Sequence, residues 1–417
     1  MLSISGGIKK EIRLGGGKAV SLIIGDAAEE MRRLSETRPG SVQLIYLDPP
    51  FSTGGRFEMR MRVGEKEWKT GQGSLRLPAY DDNLPRETYL ALMRSVLESA
   101  KILLRDTGLI FIHVDYRMHA YFRLIADEIF GEKQFINEII WTYETGGRAK
   151  NFFARKHDVI LVYAAGKDYD LHTEDVAVVS PAGRKNHMSR HIDEDGRVYR
   201  TIKSGGKVYR YFDDEPVPPS DVWTDVSHLQ QKDPQRLGYD TQKPLKLLER
   251  IVLCASRKGD TVLDPFCGSC TTAEAAVRHG RSAVLIDSNP VVSALLRRRA
   301  GDKGFEITAP ASEGNPACDA EAMRGIGYLN FYLNSYVLED GLTDREIAGL
   351  DAVDSWGVGV IEADTYTELA GETRSFRTPA LTGQVRIPME AESGCLCVRV
   401  SDILGRTFRF KIAVREY

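Results

Sequence analysis

The 417-residue sequence contains no apolar run that approaches the length of a membrane-spanning helix. Its first residues, MLSISGGIKKEIRLGGGK, also lack the hydrophobic core of a secretory signal peptide. Both absences argue against a membrane-embedded or secreted protein, and we expect a cytoplasmic location without membrane contact. A chain of this length is too long for one compact unit, which predicts two or three domains.

Cysteine is scarce, and its six copies are scattered along the chain. Cys267 and Cys270 have the spacing of half a zinc site or a redox pair, but no second pair with matching spacing follows. Cys395 and Cys397 are too close together to supply one. We therefore expect reduced thiols and no metal site.

The net charge is only −3, but it is unevenly distributed. Residues 306–417 carry 18 acidic and 10 basic side chains, a net charge of −8, so the preceding 305 residues sum to +5. A basic body beside an acidic C-terminal part permits a polyanionic partner without proving one.

Short β-branched runs alternate with amphipathic helical patterns in the first half, and a second series of this kind begins at Lys243. Such alternation predicts an α/β fold with a doubly wound, mostly parallel sheet. Strands are predicted at 19–26, 42–50, 109–115, 157–163, 261–266 and 282–287. Helices are predicted at 27–34, 85–104, 116–130, 244–256, 271–280 and 290–299.

Two regions depart from this alternation. Residues 166–235 show little helical or strand period; from Arg184 to Arg210 they hold eight basic and three acidic residues, interleaved with tyrosines. A solvated insertion would explain that charge as well as a binding surface would. Residues 306–417 predict a small β-rich unit, with a short helical part at 327–338 followed by strands at 385–391, 395–400 and 406–414. The last of these reads as an edge strand with one apolar and one basic face.

Two successive strand patterns in the second series end in an acid. Asp264, Phe266 and Gly268 fall in a strand-to-helix turn, and Asp287 ends the next strand. Ligands of open α/β sheets bind at the carboxyl ends of strands, where a carboxylate can accept hydrogen bonds from a ribose diol. The three-glycine dinucleotide fingerprint is missing. A tight turn that needs glycine would explain any single residue here, but it explains poorly why two successive strands both end in an acid.

A third strand end reads LIYLDPPF, residues 44–51. Prolines stop the strand and fix the backbone, which leaves Asp48 and the carbonyl of Pro49 as rigid acceptors beside the ring of Phe51. Two acceptors and a stacking ring suit an aromatic amine, because accepting both N–H groups aims the nitrogen lone pair at an electrophile.

DPPF, TQKP (241–244) and DPFCGSC follow one another in the permuted order of the beta-class amino DNA methyltransferases, which include type III modification subunits. The chain resembles this family over roughly residues 15–300. The resemblance implies a Rossmann-like methyltransferase sheet and S-adenosyl-L-methionine as cofactor. It assigns target-base binding to Asp48, Pro49, Pro50 and Phe51, and cofactor binding to Asp26, Thr241, Lys243, Asp264, Phe266, Gly268, Ser269 and Asp287.

Within this assignment Asp287 would hold the ribose, Asp26 would face the adenine amine of the cofactor, and Lys243 would lie with Thr241 near its methionine end. DPPF favours adenine N6 as the methylated atom of a flipped-out base; cytosine N4 and a catalytically inactive DNA-binding homologue stay open as alternatives. The chain departs from the family at Cys270, where glycine is usual, and we expect weakened cofactor binding at worst.

The resemblance also gives the insertion a role, as the region that recognises the target sequence in DNA. The basic segment 56–76, beside the catalytic turn, is expected to close over the flipped base. Expected partners are double-stranded DNA, a second copy of the chain and a restriction subunit. The predicted units are catalytic residues 1–165, recognition residues 166–235, catalytic residues 236–304 and accessory residues 305–417.

Overall fold

A computed structural model describes most of the chain. The described residues are 10–13, 20–51, 54–64, 74–144, 150–179, 188–230, 233–300, 304–310, 312, 314, 316–338, 347, 349–374, 380–389 and 395–415. Within them, no helix combines the length and the apolar character that crossing a membrane requires.

The helices and the strands up to residue 308 are together called the N-terminal part. The helices are α1 (Ala27–Thr37), α2 (Arg86–Leu103), α3 (His119–Phe130), α4 (Leu245–Ala255), α5 (Thr271–Arg278) and α6 (Val292–Ala300). The strands are β1 (Lys10–Arg13), β2 (Val20–Ile24), β3 (Val42–Leu47), β4 (Arg56–Arg62), β5 (Ser74–Asp81), β6 (Leu104–Val114), β7 (Phe135–Thr142), β8 (His157–Ala164), β9 (Ser189–Ile192), β10 (Val198–Ser204), β11 (Lys207–Phe212), β12 (Val222–Trp223), β13 (Thr261–Asp264), β14 (Ser282–Asp287) and β15 (Phe305–Thr308). Short 3-10 helices lie at Glu132–Gln134, Thr173–Val176 and Gly349–Ala352.

The centre of the molecule is a parallel sheet with the strand order β6-β3-β13-β14-β2-β15. Its strands are almost fully buried because helices cover both faces, as the near-continuous apolar runs require. Helices α1, α2 and α3 pack on one face, and α4, α5 and α6 on the other. The predicted doubly wound α/β fold is confirmed, and each predicted strand and helix of this part overlaps an observed one.

The remaining strands of the N-terminal part extend this sheet or lie outside it. β8 pairs antiparallel with β6 at the sheet edge, β7 pairs antiparallel with β8, and β12 pairs parallel with β7. β4 and β5 form a hairpin, so the segment 56–76 is structured at both ends, with 65–73 outside the described residues. In the insertion, β9, β10 and β11 form a separate three-stranded antiparallel sheet.

The C-terminal part consists of strands, in agreement with the predicted β-rich unit. They are β16 (Cys318–Arg324), β17 (Tyr328–Tyr336), β18 (Val353–Glu362), β19 (Thr365–Thr373), β20 (Gln384–Pro388), β21 (Cys395–Asp402), β22 (Thr407–Lys411) and β23 (Val414–Arg415). β19, β18, β21 and β22 continue the large sheet through β1, while β20, β17, β16 and β23 form a second sheet against it. β22 ends the large sheet, as expected of an edge strand.

The helical part predicted at 327–338 is wrong, because these residues form strand β17. Leu329, Phe331 and Leu333 recur at every second position and are buried in the core between the two sheets. This two-residue period and the three tyrosines of the segment favour a strand, and they outweigh the helical spacing of the other apolar residues.

Candidate active site

Four neighbouring parallel strands deliver acids to one edge of the sheet. In spatial order, Asp48 directly follows β3, Asp264 ends β13, Asp287 ends β14, and Asp26 lies two residues after β2. Because parallel strands point the same way, their carboxyl ends meet there. These acids could be recognised in the sequence, but the strand order that makes them neighbours could not.

A cavity of about 300 Å³ opens at this edge. All twelve site residues predicted from the sequence contribute to its wall, although they come from distant parts of the chain. They are Asp26, Asp48, Pro49, Pro50, Phe51, Thr241, Lys243, Asp264, Phe266, Gly268, Ser269 and Asp287. Three tyrosines that the prediction missed, Tyr46, Tyr80 and Tyr239, complete the wall.

The carboxylates of Asp264 and Asp287 accept hydrogen bonds from uncharged groups and form no ion pair with a described basic residue. The Thr272 hydroxyl lies 2.5 Å from Asp264, while the backbone N–H groups of Gly268 and Asn289 each donate to Asp287 at 2.9 Å. Burial raises the pKa of Asp264 to about 7 and that of Asp287 to about 6, and these hydrogen bonds oppose the shifts. Each carboxylate keeps lone pairs for a hydroxyl or amine of a ligand.

The turn between β13 and α5 is tight. Gly268 has a φ of +44°, and a Cβ at this position would lie 3.0 Å from the ring of Tyr239. Arg299 fixes the turn from behind: its Nε donates to the carbonyl of Ser269 at 2.5 Å and its Nη2 to the Thr271 hydroxyl at 3.0 Å. Arg299 was not predicted, since a basic run at a helix end usually faces solvent.

Cys270 stands in the left-handed region with a φ of +56°, which explains why glycine suits this position. Its side chain does not line the cavity. The Sγ is buried between the carbonyl oxygens of Gly268 and Val292, at 3.9 and 3.8 Å. Cysteine in place of glycine therefore strains the backbone of the turn but does not change the cavity wall.

At the opposite end of the cavity, Asp48 is paired with Lys243. The Nζ of Lys243 lies 2.7 Å from Oδ1 and 2.6 Å from Oδ2 of Asp48, and 5.2 Å from the centroid of the Phe51 ring. Tyr89 steadies the turn by donating to the carbonyl of Pro50 at 2.5 Å. Among hydrogen bonds between described residues, none ends on the carbonyl oxygen of Pro49.

A second cavity, of about 470 Å³, lies on the other side of Asp48 and Lys243. It shares Phe51, Tyr80, Thr241 and Lys243 with the first cavity. Its own wall is largely aromatic and acidic, and it includes Asp82, Asp115, Tyr116, Trp141, Tyr143, Arg155, His157, Asp158 and His228. This cavity was not predicted from the sequence.

Three rings of the second cavity contact one another at its back. The ring of His228 lies roughly parallel to Trp141, with centroids 6.1 Å apart, and Tyr143 contacts both. Trp141 lies in β7 and Tyr143 directly follows the last residue of that strand, so the two-residue spacing places both rings on the same side of the chain. That i, i+2 aromatic pair was the available sequence signal.

A buried hydrogen-bonded chain connects the two cavities beneath Phe51. The Tyr46 hydroxyl lies 2.8 Å from Nδ1 of His113, whose Nε2 lies 3.1 Å from Asp158; Tyr143 also donates to Asp158 at 3.1 Å. Burial alone would raise the pKa of Asp158, but the hydrogen bond and charge of His113 lower it. An ionised acid thus faces the second cavity.

Comparison with known proteins agrees with this geometry. Residues 42–296, more than half of the chain, match the model of a family described as DNA methylases and named for N6 and N4 modification. The chain belongs to this family. The predicted resemblance is confirmed, and with it the family's cofactor, S-adenosyl-L-methionine.

Several curated relatives of this DNA methylase are modification enzymes. Type II methyltransferase M.EcaI of Enterobacter cloacae is 28% identical over 62% of this chain and 64% of its own length. DNA adenine methyltransferase YhdJ of Escherichia coli K12 is 25% identical over 66% of this chain and 80% of its own. The StyLTI Mod subunit of Salmonella typhimurium, from a type III restriction-modification enzyme, is 26% identical over 61% and 49%. The chain thus spans less than two thirds of the first and third of these relatives.

Proposed function

We propose that the protein is a site-specific DNA methyltransferase that transfers a methyl group from S-adenosyl-L-methionine to N6 of an adenine flipped out of the duplex. The observation that carries this proposal is the position of the Asp48–Phe51 turn between two cavities. A methyl donor in one cavity and a base in the other would meet at that turn, which is where transfer requires them.

The first cavity suits the cofactor. Asp287 would accept the ribose hydroxyls, as strand-end acids do in nucleotide sites, and Asp26 would face the adenine amine. Phe266 supplies an apolar surface, and Gly268 lets the ligand approach the backbone. Thr241 and Lys243 lie at the end nearest Asp48, where the methionine part would be. The bound cofactor would supply an electrophilic methyl group on a sulfonium.

The catalytic turn suits an amine. The Asp48 carboxylate and the Pro49 carbonyl would each accept one N–H of the base, which directs the nitrogen lone pair toward the first cavity. Lys243 contacts both Asp48 oxygens, and the amine would donate to a lone pair that this contact leaves available. Phe51 would stack on the base, and Asp48 is the nearest acceptor for the proton that the methylated nitrogen releases.

The second cavity suits the flipped base because its wall offers both rings and polar groups. Trp141, Tyr143 and His228 give surfaces for stacking, while Asp158 can accept a hydrogen bond from a base edge. Its opening lies beside the β4–β5 hairpin through Phe57 and Tyr80. That position supports the proposal that segment 56–76 covers the bound base.

The insertion, residues 166–235, is the proposed recognition region. Arg197 and Arg200 pair with Asp214 and Asp213, which stiffens the β9–β11 sheet. Among described acids, none forms an ion pair with Lys203 or Lys207, and both lie exposed on this sheet. Such lysines can contact phosphates without a competing internal partner.

Adenine is the proposed base because of the DPPF sequence and the relationship to an adenine methyltransferase of Escherichia coli. The test is methylation of genomic DNA by the purified protein with S-adenosyl-L-methionine, followed by nucleoside analysis and methylation mapping. We expect N6-methyladenine at one short sequence. N4-methylcytosine would replace the base assignment, and cofactor binding without any methylation would favour the inactive homologue.

A second copy of the chain and a restriction subunit are the proposed protein partners. The second follows from the relationship to a Mod subunit of a type III enzyme. Light scattering of the purified protein tests the first, and copurification from the native host tests the second. A monomer at micromolar concentration would contradict the dimer.

A further inference from the structure

Phe153 lies on the loop 150–156 between β7 and β8 and is 97% exposed. A single exposed apolar side chain carries no meaning by itself, but the place of this one is specific. Arg155, His157 and Asp158, which follow it directly, line the second cavity. Because successive Cα atoms lie 3.8 Å apart, the Cα of Phe153 is within about 8 Å of that of Arg155. Phe153 therefore lies two residues along the chain from the wall of the proposed base cavity.

The loop is anchored to the rim of that cavity. Arg155 lies over the ring of Tyr116 at 4.2 Å and over that of Phe152 at 4.7 Å, and it donates to the Tyr116 hydroxyl at 2.6 Å. Cation–π contacts of this kind hold the guanidinium between the two rings. The ring of Phe152 thus contacts Arg155, whereas the side chain of its neighbour Phe153 is exposed to solvent.

The charge around Phe153 identifies its partner. The described residues 150–156, KNFFARK, contain three basic side chains and no acid. A strongly basic segment that carries an exposed ring suits a polyanion with flat, stacked surfaces, which duplex DNA provides. A protein interface would not require that charge.

We infer that Phe153 inserts into the base stack of duplex DNA at the position that the target base leaves. This inference rests on the proposed function, since it presupposes base flipping. Extruding a base breaks its pairing and its stacking, and an apolar wedge restores part of the lost stacking. Phe153 is then a positioning residue that stabilises the flipped state without touching the reacting atoms.

The test compares two oligonucleotide duplexes that carry the mapped recognition sequence. In one the target base is paired; in the other it lies opposite an abasic site, so less pairing opposes flipping. We expect Phe153→Ala to slow methylation of the paired duplex about tenfold or more and to stay within about threefold of wild type on the abasic duplex. Phe153→Trp, which keeps a flat ring, should retain most of the wild-type rate on both.

Ile326→Ala is the matched control, because Ile326 is 96% exposed in the turn between β16 and β17 and lines neither cavity. It should leave both rates unchanged. The inference would be overturned if Phe153→Ala slowed methylation of the two duplexes equally. It would also be overturned if the variant methylated both at the wild-type rate, whether or not its oligomeric state changed. Methylation of both duplexes by wild type separates these outcomes from a failure of the proposed function.

Discussion

Buried acids occur in two regions of this molecule, in opposite electrostatic surroundings. At the carboxyl edge of the sheet, Asp264 and Asp287 form no ion pair with any described residue, and burial raises their pKa values to about 7 and 6. Between the N-terminal part and the C-terminal strands, buried Glu11 contacts three guanidinium groups, which belong to Arg297, Arg399 and Arg409. Burial would raise the pKa of Glu11, but these charges lower it to about 2.

The difference indicates two uses of a buried carboxylate. An acid whose charge is balanced within the protein stabilises the contact between elements that are distant in sequence. An acid whose charge is not balanced costs folding energy, and it persists where a ligand completes its hydrogen bonds. Glu368, which pairs with Arg13 and Arg399, belongs to the first group.

Removing the balanced acid should have a large effect on stability. Glu11→Gln leaves buried guanidinium groups without their counter-charge, so we expect the free energy of unfolding to fall by about 3 kcal/mol or more. Urea denaturation at pH 7 measures it. The control is Glu306→Gln, because the ion pair of Glu306 with Lys10 is partly exposed and its loss should cost less than about 1 kcal/mol.

The pH dependence of stability checks the same charge. Because the folded-state pKa of Glu11 lies below its usual 4.5, its contribution is complete above about 4.5 and is lost as pH falls toward 2. Glu11→Gln should lack this part of the acid-induced loss. Equal acid sensitivity of variant and wild type would contradict the assignment.

Removing an unbalanced acid should affect binding rather than folding. Asp287→Asn should weaken S-adenosyl-L-methionine about tenfold to a hundredfold, because charge-assisted hydrogen bonds to the ribose are lost. The free energy of unfolding should stay level or rise, since a buried charge is removed. Calorimetric titration and urea denaturation of one preparation measure both, and a loss of stability without loss of affinity would contradict this prediction.

Cofactor affinity should depend on pH through the same acid. Only ionised Asp287 can accept both hydroxyls, so affinity should fall as pH drops through about 6, approaching tenfold for each further unit. Asp287→Asn should remove this dependence. Any pH dependence of cofactor affinity that the variant keeps near pH 7 would then arise from the titration of Asp264. Titrations from pH 5 to 8 give the profile; a flat wild-type profile would show that Asp287 is not used.

The smallest expected effect is that of Cys270→Gly. The Cys270 side chain points to the carbonyls of Gly268 and Val292, away from the cavity, so cofactor affinity should change by no more than about twofold. Titration with S-adenosyl-L-methionine measures it. A larger gain in affinity would mean that the thiol crowds the cofactor after all.

The acids at the sheet edge could be predicted from sequence because each follows a buried apolar strand that ends in a turn. Asp48, Asp264 and Asp287 were visible in this way, while the family resemblance supplied the roles expected of Asp26 and Thr241. The Glu11 cluster could not be predicted. Arg409 alternates with Phe408 and Phe410, which reads as a solvent-facing position, yet it is buried against Glu11. β1 and β22 are separated by three strands in the sheet order, so this contact depends on the folded sheet and not on the local pattern.

The second cavity was missed for a related reason. Its rings come from β7, β8 and residue 228, which are separated in sequence and meet only through sheet order and the connection before α4. A strand pattern states which side chains share a face, but it does not state what lies opposite. Contacts across elements therefore limited the prediction more than the elements themselves did.

The central claim is that Asp48 acts on the base while its neighbours hold the cofactor. The most direct test is methyl transfer by Asp48→Ala, with cofactor affinity measured on the same preparation. We predict a loss of about a thousandfold in kcat on DNA, with cofactor affinity within a few-fold of wild type. Methylation at the wild-type rate would contradict the account.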